Sequence, residues 1–265
     1  MSVVVVTGAG GIGLACARRL GAGHQLVLAE ADPTCLDSVV PTLRDEGYDV
    51  LGHQIDISDT SSVEGLAKFV ADCGPLATIV HTAGLSPTMA SGERILAVNL
   101  GGTALLIDAF ERLVGEGTVG VFIASMAGHL WPADRDREAS VATAAAADVV
   151  GATGLAKDVD PETAYAVSKR GVMVRVAAAA RAWGAKGARI VSVSPGMIAT
   201  GMGHQESAAQ PVMAEMLAAS PIPRLGTPAE IAEAVAWLAG PGAAFVTGTD
   251  LLIDGGVVAT SRGWT

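Results

Sequence analysis

The sequence contains a tyrosine and a lysine whose spacing suits proton transfer. Tyr165 and Lys169 are four residues apart in the segment Tyr-Ala-Val-Ser-Lys. On a helix this spacing puts both side chains on one face, so the phenol and the ammonium would lie together. A free tyrosine has a pKa of about 10, but a nearby positive charge favours the phenolate. The pair therefore predicts a phenol that exchanges protons near neutral pH, with a half-buried packing tyrosine as the alternative.

A glycine-rich segment at residues 7–13, TGAGGIG, predicts a phosphate-binding turn. Gly8, Gly10 and Gly13 fit the pattern G-x-G-x-x-G between a strand-forming run and a helical segment. Glycines let the backbone turn sharply and approach a pyrophosphate, and the helix N-terminus presents free N–H groups to it. Such a turn can also be purely structural, but its position after the first strand favours dinucleotide binding.

An acidic residue about 20 positions further on binds the adenosine ribose in dinucleotide-binding proteins. Glu30 follows the apolar run at residues 26–29 and fits this role. Its carboxylate would accept hydrogen bonds from the ribose hydroxyls and repel a 2′-phosphate. Because no arginine or lysine lies in the turn or just after Glu30, we expect NAD as the cofactor rather than NADP. Asp32 is a second candidate, with an N-cap of the next helix as its alternative role.

The elements that must position these residues follow from the hydrophobic runs. Seven runs, most of them continuous Val, Ile and Leu, predict strands at residues 3–6, 25–29, 50–54, 78–81, 118–124, 188–193 and 249–253. Helical segments are predicted between them at residues 12–20, 33–46, 61–73, 93–114, 161–183 and 228–238. The alternation predicts one α/β domain over residues 1–265, a doubly wound parallel sheet (a Rossmann fold) of about seven strands with helices on both faces.

Two segments interrupt this alternation and are candidates for covering the site. Residues 128–160 are rich in alanine, and residues 197–225 form a loop with a short helix. Pro161 and Pro228 begin the helices that follow them, with Asp160 and Thr227 as N-caps. Several apolar residues are candidate pocket walls, although packing of a loop explains them equally well: Leu85, Met89, Leu130, Trp131, Met197, Met202, Met213 and Met216.

Composition limits the function classes. The chain has 265 residues, 50% of them hydrophobic, and its formal net charge of −10 would repel a nucleic acid. No apolar run is long enough to span a bilayer and no signal peptide is evident, so we expect a cytoplasmic protein with no membrane partner. The three cysteines and five histidines show no metal-ligand spacing, so we expect reduced thiols and no metal.

Further motifs follow successive strands, and their order resembles that of the short-chain dehydrogenase/reductase family over essentially the whole chain. The segments similar to family motifs are Asp56-Ile57, His81-Thr82-Ala83-Gly84, Val98-Asn99-Leu100, Ser125, Tyr165-x-x-x-Lys169, Ser194-Pro195-Gly196, Arg224-Leu225-Gly226 and Asp254-Gly255-Gly256. No single motif is decisive, but the ordered set is specific.

The resemblance implies a catalytic set of Asn99, Ser125, Tyr165 and Lys169. Tyr165 would take the substrate's hydroxyl proton during oxidation, and Ser125 would position the substrate oxygen. Lys169 would also bind the nicotinamide ribose, and Asn99 would hold a water that links Lys169 to solvent. The implied cofactor-binding residues are Gly8, Gly10, Gly11, Ile12, Gly13, Glu30, Asp56, Ile57, Ala83, Gly84, Tyr165, Lys169, Pro195, Gly196, Ile198 and Thr200.

The chain departs from the family pattern in three places. The glycine turn is one residue shorter than the usual T-G-x-x-x-G-x-G. His81 and Thr82 replace two asparagines, which leaves open how the strand ends there are held. Ser125 and Tyr165 are forty positions apart, about three times the usual spacing, which implies an insertion at about 129–160. A similar insertion and a short turn occur in the bacterial 3α-hydroxysteroid dehydrogenase/carbonyl reductase branch, which this chain resembles.

We therefore expect an NAD(H)-dependent oxidoreductase that interconverts a secondary alcohol and a ketone, with a medium-sized apolar or cyclic substrate of the alicyclic alcohol or hydroxysteroid type. The alternatives are a non-catalytic NAD-binding sensor or scaffold and an acyl-carrier-protein 3-ketoacyl reductase. The intact Ser, Tyr and Lys set disfavours the first, and the lack of basic residues for a 2′-phosphate disfavours the second. We also expect a homo-oligomer, either a dimer or an altered tetramer, because the insertion directly precedes a helix through which family members usually associate.

Overall fold

Seven parallel strands form one sheet in the computed structural model, which describes residues 1–203 and 211–262. The order across the sheet is β3-β2-β1-β4-β5-β6-β7. The strands are β1 (Val3–Thr7), β2 (Gln25–Glu30), β3 (Asp49–Gln54), β4 (Leu76–His81), β5 (Val119–Ile123), β6 (Arg189–Pro195) and β7 (Asp250–Ile253). Every residue of β1 and of β5 is buried because helices cover both faces. The predicted fold class and all seven predicted strands are confirmed.

Helices lie on both faces of this sheet. They are α1 (Gly11–Gly21), α2 (Pro33–Asp45), α3 (Thr60–Cys73), α4 (Gly92–Ile95), α5 (Thr103–Glu111), α6 (Met126–Leu130), α7 (Arg135–Thr143), α8 (Pro161–Gly184), α9 (Pro211–Ala219), α10 (Pro228–Ala239) and α11 (Val257–Ser261). In β1, Val4 and Val6 pack with α1, α2 and α10, whereas Val3 and Val5 pack with α3, α5 and α8. The period of two along a strand therefore divides the core into two layers.

The two predicted proline starts are confirmed. The Asp160 carboxylate accepts a hydrogen bond from the Thr163 backbone N–H at 2.8 Å and caps α8. Thr227 and Glu230 form a reciprocal capping box at the start of α10. These caps satisfy backbone donors that have no partner within the helix, and they fix where each helix begins.

The helix predicted at residues 93–114 is found, but it is not a uniform α-helix. It begins as α4, continues as a π-helical segment (Leu96–Gly102) and ends as α5 at Glu111. A Cβ on Gly102 would lie 2.8 Å from Cγ1 of Ile57, so the segment approaches the end of β3 as closely as glycine allows. Single π-helical turns occur frequently at functional sites.

The insertion between β5 and α8 is folded onto the helices beside it. It contains α7 and two short 3₁₀ turns (Ala146–Asp148 and Gly151–Thr153). Val141 and Val149 are buried against Leu100 and Ala104 of the π segment and α5. The insertion therefore covers the outer side of α5 and α8.

The C-terminal part of the chain packs beside the end of β6. Buried Met126 and Met197 form a cluster with Val257 and Val258, against which Met213 and Met216 pack. The cluster joins α6, α9 and α11, so α9 lies over the carboxyl end of the sheet. In the two described ranges no helix combines the length and apolar character that a membrane crossing needs.

Candidate functional site

A cleft of about 610 Å³ opens where β1 lies beside β4. In open α/β sheets, ligands bind at the carboxyl ends of the strands where the strand order reverses, which is this position. The cleft is lined by eleven of the predicted cofactor-binding residues: Gly8, Gly10, Gly11, Ile12, Gly13, Glu30, Asp56, Ile57, Ala83, Gly84 and Thr200.

A smaller cavity of about 100 Å³ continues this cleft toward β5 and β6. The two share part of their lining, including Gly84, Leu85 and Thr200. The second cavity is lined by the remaining predicted cofactor-binding residues and by three of the four predicted catalytic residues. These are Ser125, Tyr165, Lys169, Pro195, Gly196 and Ile198. Of the predicted site residues, only Asn99 does not line either cavity.

The glycine turn is shaped by close backbone approaches. Gly8 has φ of +89°, and a Cβ there would lie 2.8 Å from the Ala83 nitrogen. A Cβ on Gly13 would overlap the carbonyl oxygen of Gly8. Gly10, in contrast, precedes α1 without a side-chain cap, and a Cβ there would meet nothing within 4 Å. The uncapped N-terminus of α1 therefore opens into the cleft and can bind a pyrophosphate.

The carboxylate of Glu30 faces this turn from the end of β2. Its Oε2 atom accepts a hydrogen bond from the Ala9 N–H at 2.7 Å, and its Oε1 atom accepts one from the Ala31 N–H at 2.8 Å. Asp32 instead accepts from the Thr34 N–H at 2.9 Å and caps α2, which is its predicted alternative role. Of these two candidates for the ribose site, Glu30 is thus the one that lines the cleft.

Asp56 forms a small polar network on the far wall of the cleft. Its Oδ1 atom accepts from the Ser58 hydroxyl at 2.6 Å, and its Oδ2 atom lies 3.2 Å from a guanidinium nitrogen of Arg94. These hydrogen bonds, that from the Ser58 hydroxyl first, lower the pKa of the Asp56 carboxyl despite partial burial. Arg94 lines the same cleft and was not predicted, because its position in the crossover helix carries no motif.

Ser125, Tyr165 and Lys169 lie around the smaller cavity. Lys169 is 6% exposed, and its ammonium donates to the Ile123 carbonyl at 3.0 Å. The same Nζ atom is 5.7 Å from the centroid of the Tyr165 ring. Ser125 caps α6, with its hydroxyl oxygen accepting from the Ala127 N–H at 3.2 Å. The predicted adjacency of phenol and ammonium is therefore present, held by one face of α8.

Asn99 lies within the π-helical segment and is 1% exposed. Its Oδ1 atom accepts from the Leu85 N–H at 2.8 Å, and its Nδ2 atom donates to the Leu85 carbonyl at 2.9 Å and toward the Ser168 hydroxyl at 3.3 Å. The amide side chain therefore clamps the backbone after β4. The water-holding role that the resemblance implies for Asn99 stays a prediction.

The two residues that replace asparagines hold the strand ends in their own way. His81 is fully buried, with Nδ1 2.6 Å from the Thr7 hydroxyl and Nε2 3.1 Å from the Thr103 hydroxyl. Thr82 donates its hydroxyl to the Thr7 carbonyl at 2.8 Å. Burial, and next to it the charge of Lys169, lower the pKa of His81 to about 3, so the imidazole is neutral at physiological pH.

The candidate pocket walls divide into three groups. Leu85, Met89 and Met202 line the cleft, and Leu85 and Met202 also line the smaller cavity. Met197, Met213 and Met216 belong to the apolar cluster between α6, α9 and α11. They therefore pack a loop and a short helix, which is the alternative role predicted from the sequence. The other two candidates line neither the cleft nor the smaller cavity: Leu130 is 38% exposed, and Trp131 lies against the insertion and α8.

Of the two histidines close to the site in sequence, His129 pairs with Asp250 at 2.7 Å, whereas His204 lies outside the described residues. The Asp250 carboxylate also accepts from the Ser192 hydroxyl at 2.6 Å. The pair ties α6 to the edge of the sheet, so His129 is used structurally.

These features fit a nicotinamide dinucleotide. The uncapped helix N-terminus suits the pyrophosphate, the Glu30 carboxylate suits the ribose hydroxyls, and a cleft of about 610 Å³ is within the range of cofactor sites. The smaller cavity continues this cleft, and both Tyr165 and Ser125 line it. The arrangement can therefore bring a substrate hydroxyl to the reactive end of such a cofactor.

Two family models match the chain in succession. One, described as short chain dehydrogenase, matches residues 2–134. The other, described as Enoyl-(Acyl carrier protein) reductase, matches residues 137–258. The insertion is divided between the two matches, so it does not interrupt the family's pattern on either side.

Relatives align over nearly the whole chain. The short-chain dehydrogenase/reductase bsc3 of Alternaria brassicicola is 38% identical over 263 residues, covering 97% of this chain and 96% of the relative. The 3-alpha-hydroxysteroid dehydrogenase/carbonyl reductase of Comamonas testosteroni is 31% identical over 274 residues, covering 99% and 98%.

Solved structures agree with the fold. The 3-alpha-hydroxysteroid dehydrogenase from Pseudomonas sp. B-0831 complexed with NADH superposes with a TM-score of 0.80 at 28% identity, covering 100% of both chains. A blue fluorescent protein from a metagenomic library in complex with NADPH gives a TM-score of 0.76 at 25% identity, covering 97% of both. The similarity thus extends to structures that hold either nicotinamide cofactor.

Proposed function

The chain belongs to the short-chain dehydrogenase/reductase family, and on that basis we propose that it is an NAD(H)-dependent oxidoreductase that interconverts a secondary alcohol and a ketone. The observation that carries the proposal is the grouping of Ser125, Tyr165 and Lys169 around a cavity that continues the glycine-turn cleft. A binding module without catalysis would need the cleft but not this grouping.

Each residue of the smaller cavity has a separate role in the proposed proton transfer. When bound, the nicotinamide supplies or accepts the hydride, which is cofactor chemistry. In the oxidation, the Tyr165 oxygen takes the proton of the substrate hydroxyl, and the Ser125 hydroxyl holds the substrate oxygen in place. The Lys169 ammonium, fixed by the Ile123 carbonyl, stabilises the phenolate electrostatically. In the reduction, Tyr165 returns the proton to the carbonyl oxygen.

Two observations support NAD as the cofactor. Glu30 lines the cleft with its carboxylate fixed by two backbone N–H groups, so a 2′-phosphate placed beside it would meet a like charge. The Pseudomonas enzyme, which was solved with NADH, is similar to this chain over the full length of both. Because another similar structure holds NADPH, activity with NADP is the competing outcome of the test below.

The substrate is proposed to be medium-sized and apolar or cyclic. Leu85, Met89 and Met202 give the cleft apolar walls near the catalytic residues, and methionine adapts to irregular apolar shapes. The names of the Comamonas and Pseudomonas relatives, which are hydroxysteroid dehydrogenases, agree with this class. A 3-ketoacyl group on an acyl-carrier protein is the second candidate. The description of one family model, Enoyl-(Acyl carrier protein) reductase, shares the carrier protein with this candidate but names a different reducible group.

The proposal is tested with a panel of secondary alcohols and both oxidised cofactors. We expect reduced cofactor to form with cyclic alcohols and NAD, and Tyr165→Phe to lower kcat/KM by at least about a thousandfold, because the proton acceptor is removed. The far-UV circular dichroism spectrum and the melting temperature of Tyr165→Phe should stay close to those of the wild type, which would show that the variant is folded. Equal turnover by the wild type and the variant would remove Tyr165 from the mechanism. No turnover of any alcohol or ketone, with intact NADH binding by the wild type, would leave the sensor as the better interpretation.

A further inference from the structure

We propose that the second half of the insertion, residues 150–159, determines substrate size selectivity by supporting the active-site wall from behind. The inference rests on the proposed function, because it concerns the cavity beside Tyr165. The first half of the insertion, with α7, lies on the outer side of α5 and α8. In the second half, Val150 and Ala152 still contact this outer cluster, whereas Leu155 and Val159, together with Val150, pack toward the segment after β4 and the start of α8.

Three buried residues connect this segment to the active site: Ile95, Leu96 and Ala164. Val150, Leu155 and Val159 of the insertion pack against them. Two residues that line the smaller cavity, Leu85 and Tyr165, pack against the same three. A change of volume at position 155 therefore reaches the wall of the cavity through one continuous apolar cluster.

The segment is fixed in place at both ends. The Thr153 hydroxyl donates to the Val150 carbonyl at 2.7 Å, and Gly154 follows in the left-handed region with φ of +66°. At the other end the carbonyl of Val159 lies so close to Gly92 that a Cβ on this glycine would overlap it. Because Asp160 then caps α8, the segment cannot move without disturbing the helix that carries Tyr165.

Leu85 is the residue through which such a change would act. Its backbone N–H and carbonyl are both bonded to the Asn99 amide, at 2.8 and 2.9 Å. Only its side chain can therefore adjust when the packing behind it changes. This side chain lines both cavities, so its position sets the space available to a bulky substrate.

The experiment compares Leu155→Ala with Leu155→Phe. We measure kcat/KM for a bulky cyclic alcohol and for propan-2-ol, and take the ratio of the two. Leu155→Ala should raise this ratio by about fivefold and Leu155→Phe should lower it, because an apolar pocket distinguishes substrates that differ by a methylene by about tenfold or more, and an indirect effect is smaller. The dissociation constant of NADH should stay within about twofold of the wild-type value.

Val141→Ala is the matched control. Val141 is a buried apolar residue of the same insertion, but it packs on Leu100 and Ala104, away from the cavity. It should lower the melting temperature as Leu155→Ala does and leave the selectivity ratio unchanged. An unchanged ratio in the Leu155 variants, or an equal change in Val141→Ala, overturns the inference.

A second measurement separates this inference from the proposed function. If the wild type oxidises no alcohol, the proposed function fails, and the inference is decided by the methyl NMR signals of Leu85 in the protein without substrate. Leu155→Ala should shift these signals and Val141→Ala should not. Unshifted signals in Leu155→Ala would show that the insertion does not support this wall.

Discussion

At the scale of single residues, the hydrogen-bond partners of His81 determine which of its ring nitrogens carries the proton. The Thr103 hydroxyl donates to the Asn99 carbonyl at 2.6 Å, so it can only accept from His81 Nε2. His81 Nδ1 is then unprotonated and accepts from the Thr7 hydroxyl at 2.6 Å. A neutral imidazole therefore connects β1, the strand before the glycine turn, to the first residue of α5.

This buried imidazole makes stability depend on pH. The pKa of His81 falls from 6.5 to about 3 on folding, so between these values the unfolded chain binds a proton that the folded chain does not. Stability therefore rises with pH across this window and is lost as the pH falls. We expect His81 to contribute a loss of about 1.4 kcal/mol between pH 7.5 and pH 5.5. Urea denaturation gives the free energy of unfolding at each of the two pH values. The difference between the two free energies should be smaller in His81→Asn than in the wild type by this amount. An equal pH dependence of stability in the two proteins would contradict the assignment.

Cofactor selectivity is a second property of single residues. Glu30→Gln keeps an acceptor for a backbone N–H of the turn but removes the negative charge beside the proposed ribose site. We expect the ratio of kcat/KM with NAD to that with NADP to fall by at least about tenfold, since like charges in contact cost several kcal/mol. Asp32→Asn is the control, because Asp32 caps α2. A larger change in Asp32→Asn than in Glu30→Gln would transfer the role to Asp32.

The site residues that could be predicted are those whose role depends on their neighbours in sequence. The glycine turn and the Tyr165–Lys169 pair follow from local spacing, and the structure places them in the cleft and its continuation. The hydrogen bond from Arg94 to Asp56 and the one between Thr103 and His81 could not be predicted in this way. The bonded residues lie 38 and 22 positions apart in sequence, and only the packing of the crossover helix against the sheet brings them together.

At the scale of elements, the insertion is attached to α8 by one buried arginine. Arg175 is 7% exposed and donates to the Ala144 carbonyl at 2.7 Å, just beyond the end of α7. It also pairs with Asp108 of α5 at 3.2 Å. The guanidinium thus satisfies carbonyl groups that the end of α7 leaves without partners, and it joins three helices at one point.

Removal of this arginine should release α7 without unfolding the sheet. Hydrogen bonds to a charged donor are worth on the order of 2 kcal/mol, so Arg175→Met should accelerate amide exchange in residues 135–144 by roughly 30-fold. Exchange in the central strands should change much less. Arg175→Lys should give an intermediate effect, because an ammonium cannot reach Ala144 and Asp108 in the same planar arrangement. Uniform acceleration across the whole chain would mean that α7 does not open separately.

Elements were predictable where periodicity and caps agree. All seven strands, and the proline-initiated starts of α8 and α10, lie where the sequence placed them. The π-helical segment within residues 93–114 could not be predicted, because nothing in its local sequence distinguishes it from an α-helix, and its contact with Ile57 joins residues far apart in sequence. The position of Trp131, a candidate pocket wall, was also not predicted from the sequence. Trp131 lies beside residues of α7 and α8, and its contact with α8 joins segments that are distant in sequence.

At the scale of the whole molecule, two faces differ in how much apolar surface they leave exposed. The outer side of α5 and α8 is covered by the insertion. Beside β7, in contrast, the Phe245 side chain is fully exposed and Trp237 of α10 is 48% exposed. β7 is also the last strand of the sheet, so among the described strands one of its edges has no neighbour. An open edge beside exposed aromatic residues is typical of a surface that another chain covers.

We therefore expect two copies of the chain to associate through β7 and α10, with a mass of about twice 26.6 kDa. Phe245→Asp places a charge at the centre of this surface and should shift the protein toward the monomer in light scattering at micromolar concentration, because an unpaired charge is costly to bury. Val212→Asp is the control, since Val212 is an apolar residue that is 55% exposed and belongs to α9 rather than to α10 or β7. A monomeric wild type, or a Phe245→Asp variant of unchanged mass, would contradict this interface. If the wild type has the mass of four chains and Phe245→Asp has the mass of two, the protein is a tetramer with a second interface. Because the insertion covers α5 and α8, this second interface would differ from the one that the family usually uses.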